Sequence, residues 1–112
     1  MEIYLDHTDV IFQLILHGGN ARSLAMEAIA LAKNKDMAGA QDALKRAGEE
    51  LSRAHHHQTT FIQKEIAGEK PEISMLLIHA QDHLMNAMTI KDLASEFVEL
   101  YSHVHAAKEA GV

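Results

Sequence analysis

Met75-Leu76-Leu77-Ile78-His79-Ala80-Gln81-Asp82-His83-Leu84-Met85-Asn86-Ala87-Met88 is the stretch on which the fold turns. On a helical wheel at about 100° per residue, with His79 as origin, Met75, Leu76, Ile90, Leu93 and Phe97 fall within about 60° of it. Asp82, His83 and Asn86 share that stripe, whereas Leu77, Leu84 and Met88 lie on the opposite side. Ile78 and Met85 fall between, so the first half of this helix is apolar nearly all round. Such a helix has to be covered on every side. Two partner helices from a chain of 112 residues cannot easily do so. A homo-oligomer is expected, with this helix in the shared core.

Outward from that stretch the pattern stays helical. A first helix is predicted from about Asp9 to about Lys33, with Phe12, Ile15, Leu16, Leu24, Ala28 and Leu31 near helical spacing. Gly18-Gly19 interrupts it, and adjacent glycines weaken a helix by roughly 1 kcal/mol each. A kink or a close helix contact is expected there. Asn34-Lys35-Asp36 reads as a turn, with Asp36 as N-cap of a second helix from about Met37 to Ala67. Gly68 stops that helix and Pro71 follows. The third helix is predicted to start near Pro71–Ser74 and run to about Ala107. Short connections make the chain an all-α, antiparallel up-down-up three-helix bundle, one domain over residues 1–112.

Composition agrees and narrows the function. The chain is 47% hydrophobic with three Phe, two Tyr and no Trp, so its apolar content rests on Leu, Ile, Ala and Met. The net charge is -6, and no basic cluster exceeds Lys45-Arg46. Nucleic-acid binding is disfavoured, because it draws its affinity from basic surface. Cysteine is absent, which removes disulfides, thiolate catalysis and Cys-based zinc sites. No apolar run reaches the roughly 20 residues of a membrane span, and Met1-Glu2-Ile3-Tyr4-Leu5-Asp6 is not a signal peptide. A cytoplasmic protein without membrane insertion is expected. Nine histidines are the compositional oddity.

His79-Ala80-Gln81-Asp82-His83 places polar groups in an otherwise apolar helix. His79, Asp82 and His83 share one face through spacings of three and four, while Gln81 points about 200° away from His79. Three chemistries suit the cluster. Its members could be satisfied core polar groups that set register and oligomer state. They could hold a transition metal through two imidazoles and a carboxylate, although the Glu of the His-Glu-x-x-His motif is missing. Or a neutral His79 could attack a phosphoryl donor and form a phosphoramidate, with His83 donating to the phosphoryl oxygens. The last chemistry requires His79 in a cleft open to partners. His55-His56-His57 cannot converge on one ion and is expected at the surface or an interface. His103 and His105 are expected to be solvated, and His7 and His17 carry no pattern.

Ile78-His79-Ala80-Gln81-Asp82-His83-Leu84-Met85 resembles the signature of the enzyme IIA components of lactose- and cellobiose-type phosphotransferase systems. So do Gly19-Asn20-Ala21-Arg22-Ser23, Ala54-His55-His56-His57-Gln58-Thr59, and Lys91-Asp92 with Glu99-Leu100-Tyr101 beyond it. The resemblance spans about Ile11 to Tyr101. It implies a trimer of three-helix subunits forming a nine-helix bundle. It also implies a phosphohistidine at His79, charged by the small histidine phosphocarrier protein and discharged to a cysteine of the cognate enzyme IIB. The sugar would be a diglucoside or lactose-type sugar. The aspartate matching Asp82 sits in the family at the trimer interface, where three copies gather around a metal ion. An oxygen-lined site of that kind suits a divalent cation such as magnesium. The alternative function is a non-catalytic helical metal-binding or assembly protein that uses the His79/Asp82/His83 cluster.

Overall fold

The structure, a computed structural model, describes residues 8–69 and 72–111. It contains three α-helices, α1 (Thr8–Lys33), α2 (Met37–Ile66) and α3 (Met75–Glu109), and no strand among the described residues. They form a rod 71 × 20 × 20 Å, of which the 35-residue α3 spans about 52 Å at 1.5 Å per residue. The all-α expectation and the first two helices hold to within a residue. The third helix begins at the late end of the expected range. Ser74, extended at φ -123° and ψ 162°, caps it by accepting from the Leu77 N–H at 3.1 Å. The predicted N-cap Asp36 accepts from the Gly39 N–H at 2.9 Å.

Both turns close on left-handed residues that satisfy orphan helix carbonyls. Gly68, at φ 93°, donates to the Glu65 carbonyl at 3.0 Å, and Glu69 donates to Lys64 at 2.9 Å. The turn after α1 repeats this hydrogen-bond pattern with Lys35 at φ 69°, a position where glycine is usual.

α1 is the central element. It packs extensively on both α2 and α3, which touch each other much less. Its buried positions are Ile11, Leu14, Gly18, Ala21, Ala25, Ala28 and Ala32, alternating by three and four. A 3.5-residue repeat of this sort keeps one seam facing its partners. Small residues dominate that seam, so the helices approach closely. Ala40, Ala43, Ala47 and Ala54 of α2 meet it from one side, and Ala80, Leu84, Ala87, Ala94 and Val98 of α3 from the other. His105 closes the far end by donating from Nε2 to the Ala32 carbonyl at 2.8 Å, its ring stacked on Tyr101. The expected solvation therefore fails for His105, because α3 extends far enough to lay it on the end of α1. It holds for His103, which is exposed.

A polar seam joins α1 to α2. His17 Nδ1 hydrogen-bonds the Glu50 carboxylate and its Nε2 contacts Gln13 at 3.0 Å. Arg53 reaches the other Glu50 oxygen at 3.2 Å. The His57 ring lies parallel to His17 with centroids 6.4 Å apart, and His56 meets it edge-on. Of the three consecutive histidines, only His57 is half-buried, as their divergent directions require. Partial burial pushes the Glu50 carboxyl up, but the His17 hydrogen bond and charge, helped by Arg53 and Asn20, leave it below the usual range. Burial lowers His57, and the charges of His17 and His56 lower it further.

Both groups hold fewer protons folded than unfolded, so both stabilise the fold above their unfolded values and lose that contribution as pH falls. The loss begins below the ordinary histidine value of 6.5 through His57 and continues below 4.5 through Glu50. His57→Gln should flatten the upper part of the acid limb in a melting-temperature series, and Glu50→Gln the lower part. Acid limbs superimposable on the wild type in both variants would contradict this assignment.

Candidate functional site

α3 carries two apolar faces. One is the buried seam just described. The other is exposed and runs through Met75, Ile78, Met85, Leu93, Phe97, Leu100 and Val104, with Leu93 53% and Leu100 55% exposed. Phe12, Leu16 and Met26 form a second exposed apolar row on α1. The expectation that α3 is too apolar to be covered by its own chain is met.

The polar cluster sits against these faces in a definite way. Asp82 interrupts the exposed stripe, between Ile78 and Met85, with Asn86 Nδ2 at 3.4 Å as its side-chain hydrogen-bond partner. His79 is also exposed. His83 is half-buried where α3 turns in against α1. Its ring stacks beside that of His79, with centroids 6.0 Å apart and planes 19° from parallel.

His83 also meets the glycine pair. A Cβ placed on Gly19 would lie 3.2 Å from His83 Nε2, and one on Gly18 would lie 3.4 Å from His83 Cδ2 and 3.6 Å from Leu84 Cα. α1 passes through Gly18-Gly19 without interruption. Of the two expectations for the pair, close contact is therefore the one realised. Gln81, pointing away from His79, accepts from Gln58 Nε2 at 2.7 Å and ties α2 to α3 at this level. That pair gives Gln58 and Gln81 a structural task.

The end of the bundle where α2 turns into α3 is rich in exposed apolar side chains. Ile62 and Ile66 at the end of α2, Ile73 in the turn, and Met75, Leu76 and Ile78 at the start of α3 are all exposed. Among the described residues, no three His, Cys, Asp or Glu side chains gather so that they could hold a metal ion. The stacked rings of His79 and His83 do not converge on a common point, as two imidazole ligands at about 2.0–2.1 Å from one metal must. The arrangement offers instead one accessible imidazole, a second imidazole one turn away, and an apolar apron on which a protein could dock.

Comparison with known proteins agrees with this geometry. The family model for the lactose/cellobiose-specific IIA subunit of the PTS system matches residues 9–102. The lichenan-specific phosphotransferase enzyme IIA component of Bacillus subtilis (strain 168) is 57% identical over 103 residues, covering 92% of this chain and 94% of its own. The crystal structure of the PTS cellobiose-specific enzyme IIA from Bacillus anthracis superposes with a TM-score of 0.87 at 55% identity, over 95% of this chain and 94% of that one. The IIA(Chitobiose) component of Escherichia coli, in solution structures of its complex with HPr, gives a TM-score of 0.78 at 35% identity, over 89% of this chain and 97% of that one. No described helix is long and apolar enough to cross a membrane. The chain belongs to the lactose/cellobiose-specific IIA family of the phosphotransferase system.

Proposed function

We propose that this protein is a phosphohistidine carrier, acting in the cytoplasm, in which His79 accepts a phosphoryl group from the histidine phosphocarrier protein and passes it to a cysteine of the cognate enzyme IIB. The observation that carries this reading is His79 itself, exposed beside His83 toward the end of the bundle where α2 turns into α3, in a chain of this family. A relative 35% identical forms a complex with HPr, which supports the same donor here. Lichenan and cellobiose in the names of relatives 57% and 55% identical favour the diglucoside side of the lactose/cellobiose family.

The chemistry needs few groups. An unprotonated ring nitrogen of His79 uses its lone pair to attack the phosphorus held on the donor's imidazole. The new N–P bond forms as the old one breaks, and the donor's ring keeps the bonding pair and leaves neutral. In the second step a thiolate of enzyme IIB attacks the same phosphorus, an S–P bond replaces the N–P bond, and His79 returns to its neutral state. His83 is placed to donate an N–H to the phosphoryl oxygens. Ile62, Ile66 and Ile73, exposed and outside the apolar stripe of α3, would supply an apolar surface that both partners can use in turn.

The assembly proposed is a homotrimer in a nine-helix bundle. The exposed stripes of α1 and α3 have to be covered, and patches of that extent mark interaction surfaces. Covering the α3 stripe would bury Asp82 among copies of itself. Among the described residues of one chain no three His, Cys, Asp or Glu side chains gather as a ligand set, so an ion in the covered stripe would be held by Asp82 from three subunits. Oxygen donors of that kind fit a hard divalent cation such as magnesium, which would neutralise the converging charges.

Incubation with phosphoenolpyruvate and the two general phosphotransferase proteins should give an acid-labile phosphohistidine. His79→Ala should abolish it and leave the helical content intact, whereas His55→Ala and His103→Ala should label normally. Full labelling of His79→Ala would remove the assignment. His83→Ala should slow transfer about 10²-fold, as for the loss of one positioned donor, and a wild-type rate would leave His83 with a packing role alone. For the assembly, Asp82→Leu should remain trimeric by sedimentation with or without a chelator, because a packed apolar group replaces a buried charge cluster. The wild type should weaken when divalent ions are removed. A chelated wild type that stays trimeric and equally heat-stable would contradict the structural ion.

A further inference from the structure

We propose that Gly19 is a positioning residue for His83, and through it for phosphoryl transfer at His79. The proposal rests on the carrier function above, which makes the orientation of His83 matter. A glycine inside a helix destabilises it relative to alanine, and α1 carries two in succession. Neither has a left-handed backbone that would demand glycine, since positive φ among the described glycines occurs only at Gly68 and Gly111. The reason for glycine at these positions is therefore steric.

The two glycines do different work. Gly18 is buried and faces the backbone of Leu84, with distances from its hypothetical Cβ typical of ordinary packing. Gly19 stands at the edge of the seam, and within 4 Å its hypothetical Cβ would meet one atom, Nε2 of His83, at 3.2 Å. A methyl group there forces the imidazole to give by a few tenths of an ångström. The same ring stacks beside His79 with centroids 6.0 Å apart. The bare backbone at Gly19 thus forms the floor on which His83 lies, and the depth of that floor sets where its ring nitrogens stand relative to His79. Gly48, on α2, is a control of the same residue type, because its hypothetical Cβ meets nothing within 4 Å.

Alanine at position 19 should raise helix stability while it displaces His83. Gly19→Ala is therefore expected to melt no lower than the wild type, yet to accept phosphate from the histidine phosphocarrier protein several-fold more slowly, about tenfold at most, since a shift of a few tenths of an ångström stays below the 1 Å misplacement that costs about 10². Nuclear Overhauser contacts from the His83 ring to position 19 should change in the same variant. Gly48→Ala should melt no lower and transfer at the wild-type rate. The deciding comparison is a double-mutant cycle, because a residue that acts through His83 has nothing to act on once His83→Ala is made. Gly19→Ala should then have no further effect. A wild-type transfer rate in Gly19→Ala, or a loss of rate or assembly that persists undiminished in the His83→Ala background, overturns the proposal. A wild type that takes no phosphoryl group removes the carrier function and this role together, whereas a labelled wild type matched in rate by Gly19→Ala removes only the role of Gly19.

Discussion

Close approach of three helices along a seam of alanine and glycine is the constraint on which everything else in this protein depends. Gly18, Ala21, Ala25, Ala28 and Ala32 of α1 let the helices approach closely, and among the described residues only Leu14, Leu84 and Val98 are larger side chains that are fully buried. A core made largely of alanines removes little apolar area from water, at roughly 25 cal/mol per Å². The larger apolar residues, among them Phe12, Leu16, Leu93, Phe97 and Leu100, accordingly stay on the outside of the single chain. A thin core and an apolar exterior are two aspects of one packing choice. They explain why the single chain leaves so many large apolar side chains exposed.

The site follows from the same geometry. With one face of α3 committed to the alanine seam and the other to the exposed stripe, three polar residues at spacings of three and four fall in three distinct settings. Asp82 lands within the stripe, His79 stays exposed, and His83 lies where the helix meets α1. One short run of sequence thus distributes Asp82, His79 and His83 over three settings without any loop or inserted element. The His17–Glu50 pair and the Gln58–Gln81 pair fasten α2 to its neighbours near this level. They hold together a bundle whose α2–α3 contact is otherwise sparse.

Much of this was legible in the sequence, because helices write their packing in their periodicity. The bundle, the Asp36 cap and the apolar excess of α3 all follow from spacing and punctuation. The Gly18-Gly19 signal was visible too, but its two outcomes could be separated only by knowing that His83 lies opposite. What periodicity cannot carry is partnership across helices. His17 gave no pattern because Glu50 lies 33 residues away, and His105 looked solvated because the carbonyl it caps belongs to α1, 73 residues earlier. The start of α3, expected near Pro71–Ser74, is fixed at the late end of that range by the Ser74 side chain, which accepts from the Leu77 N–H.

The central claim is that one histidine among nine carries the phosphoryl group. The most direct measurement is mass spectrometry of the intact protein after phosphorylation by the histidine phosphocarrier protein, kept at neutral to alkaline pH, with fragmentation to locate the modification. The account predicts one phosphoryl group per chain, confined to His79 and lost when enzyme IIB is added. A phosphoryl group on any other residue, or an unmodified chain under conditions that charge a known IIA component, would contradict it.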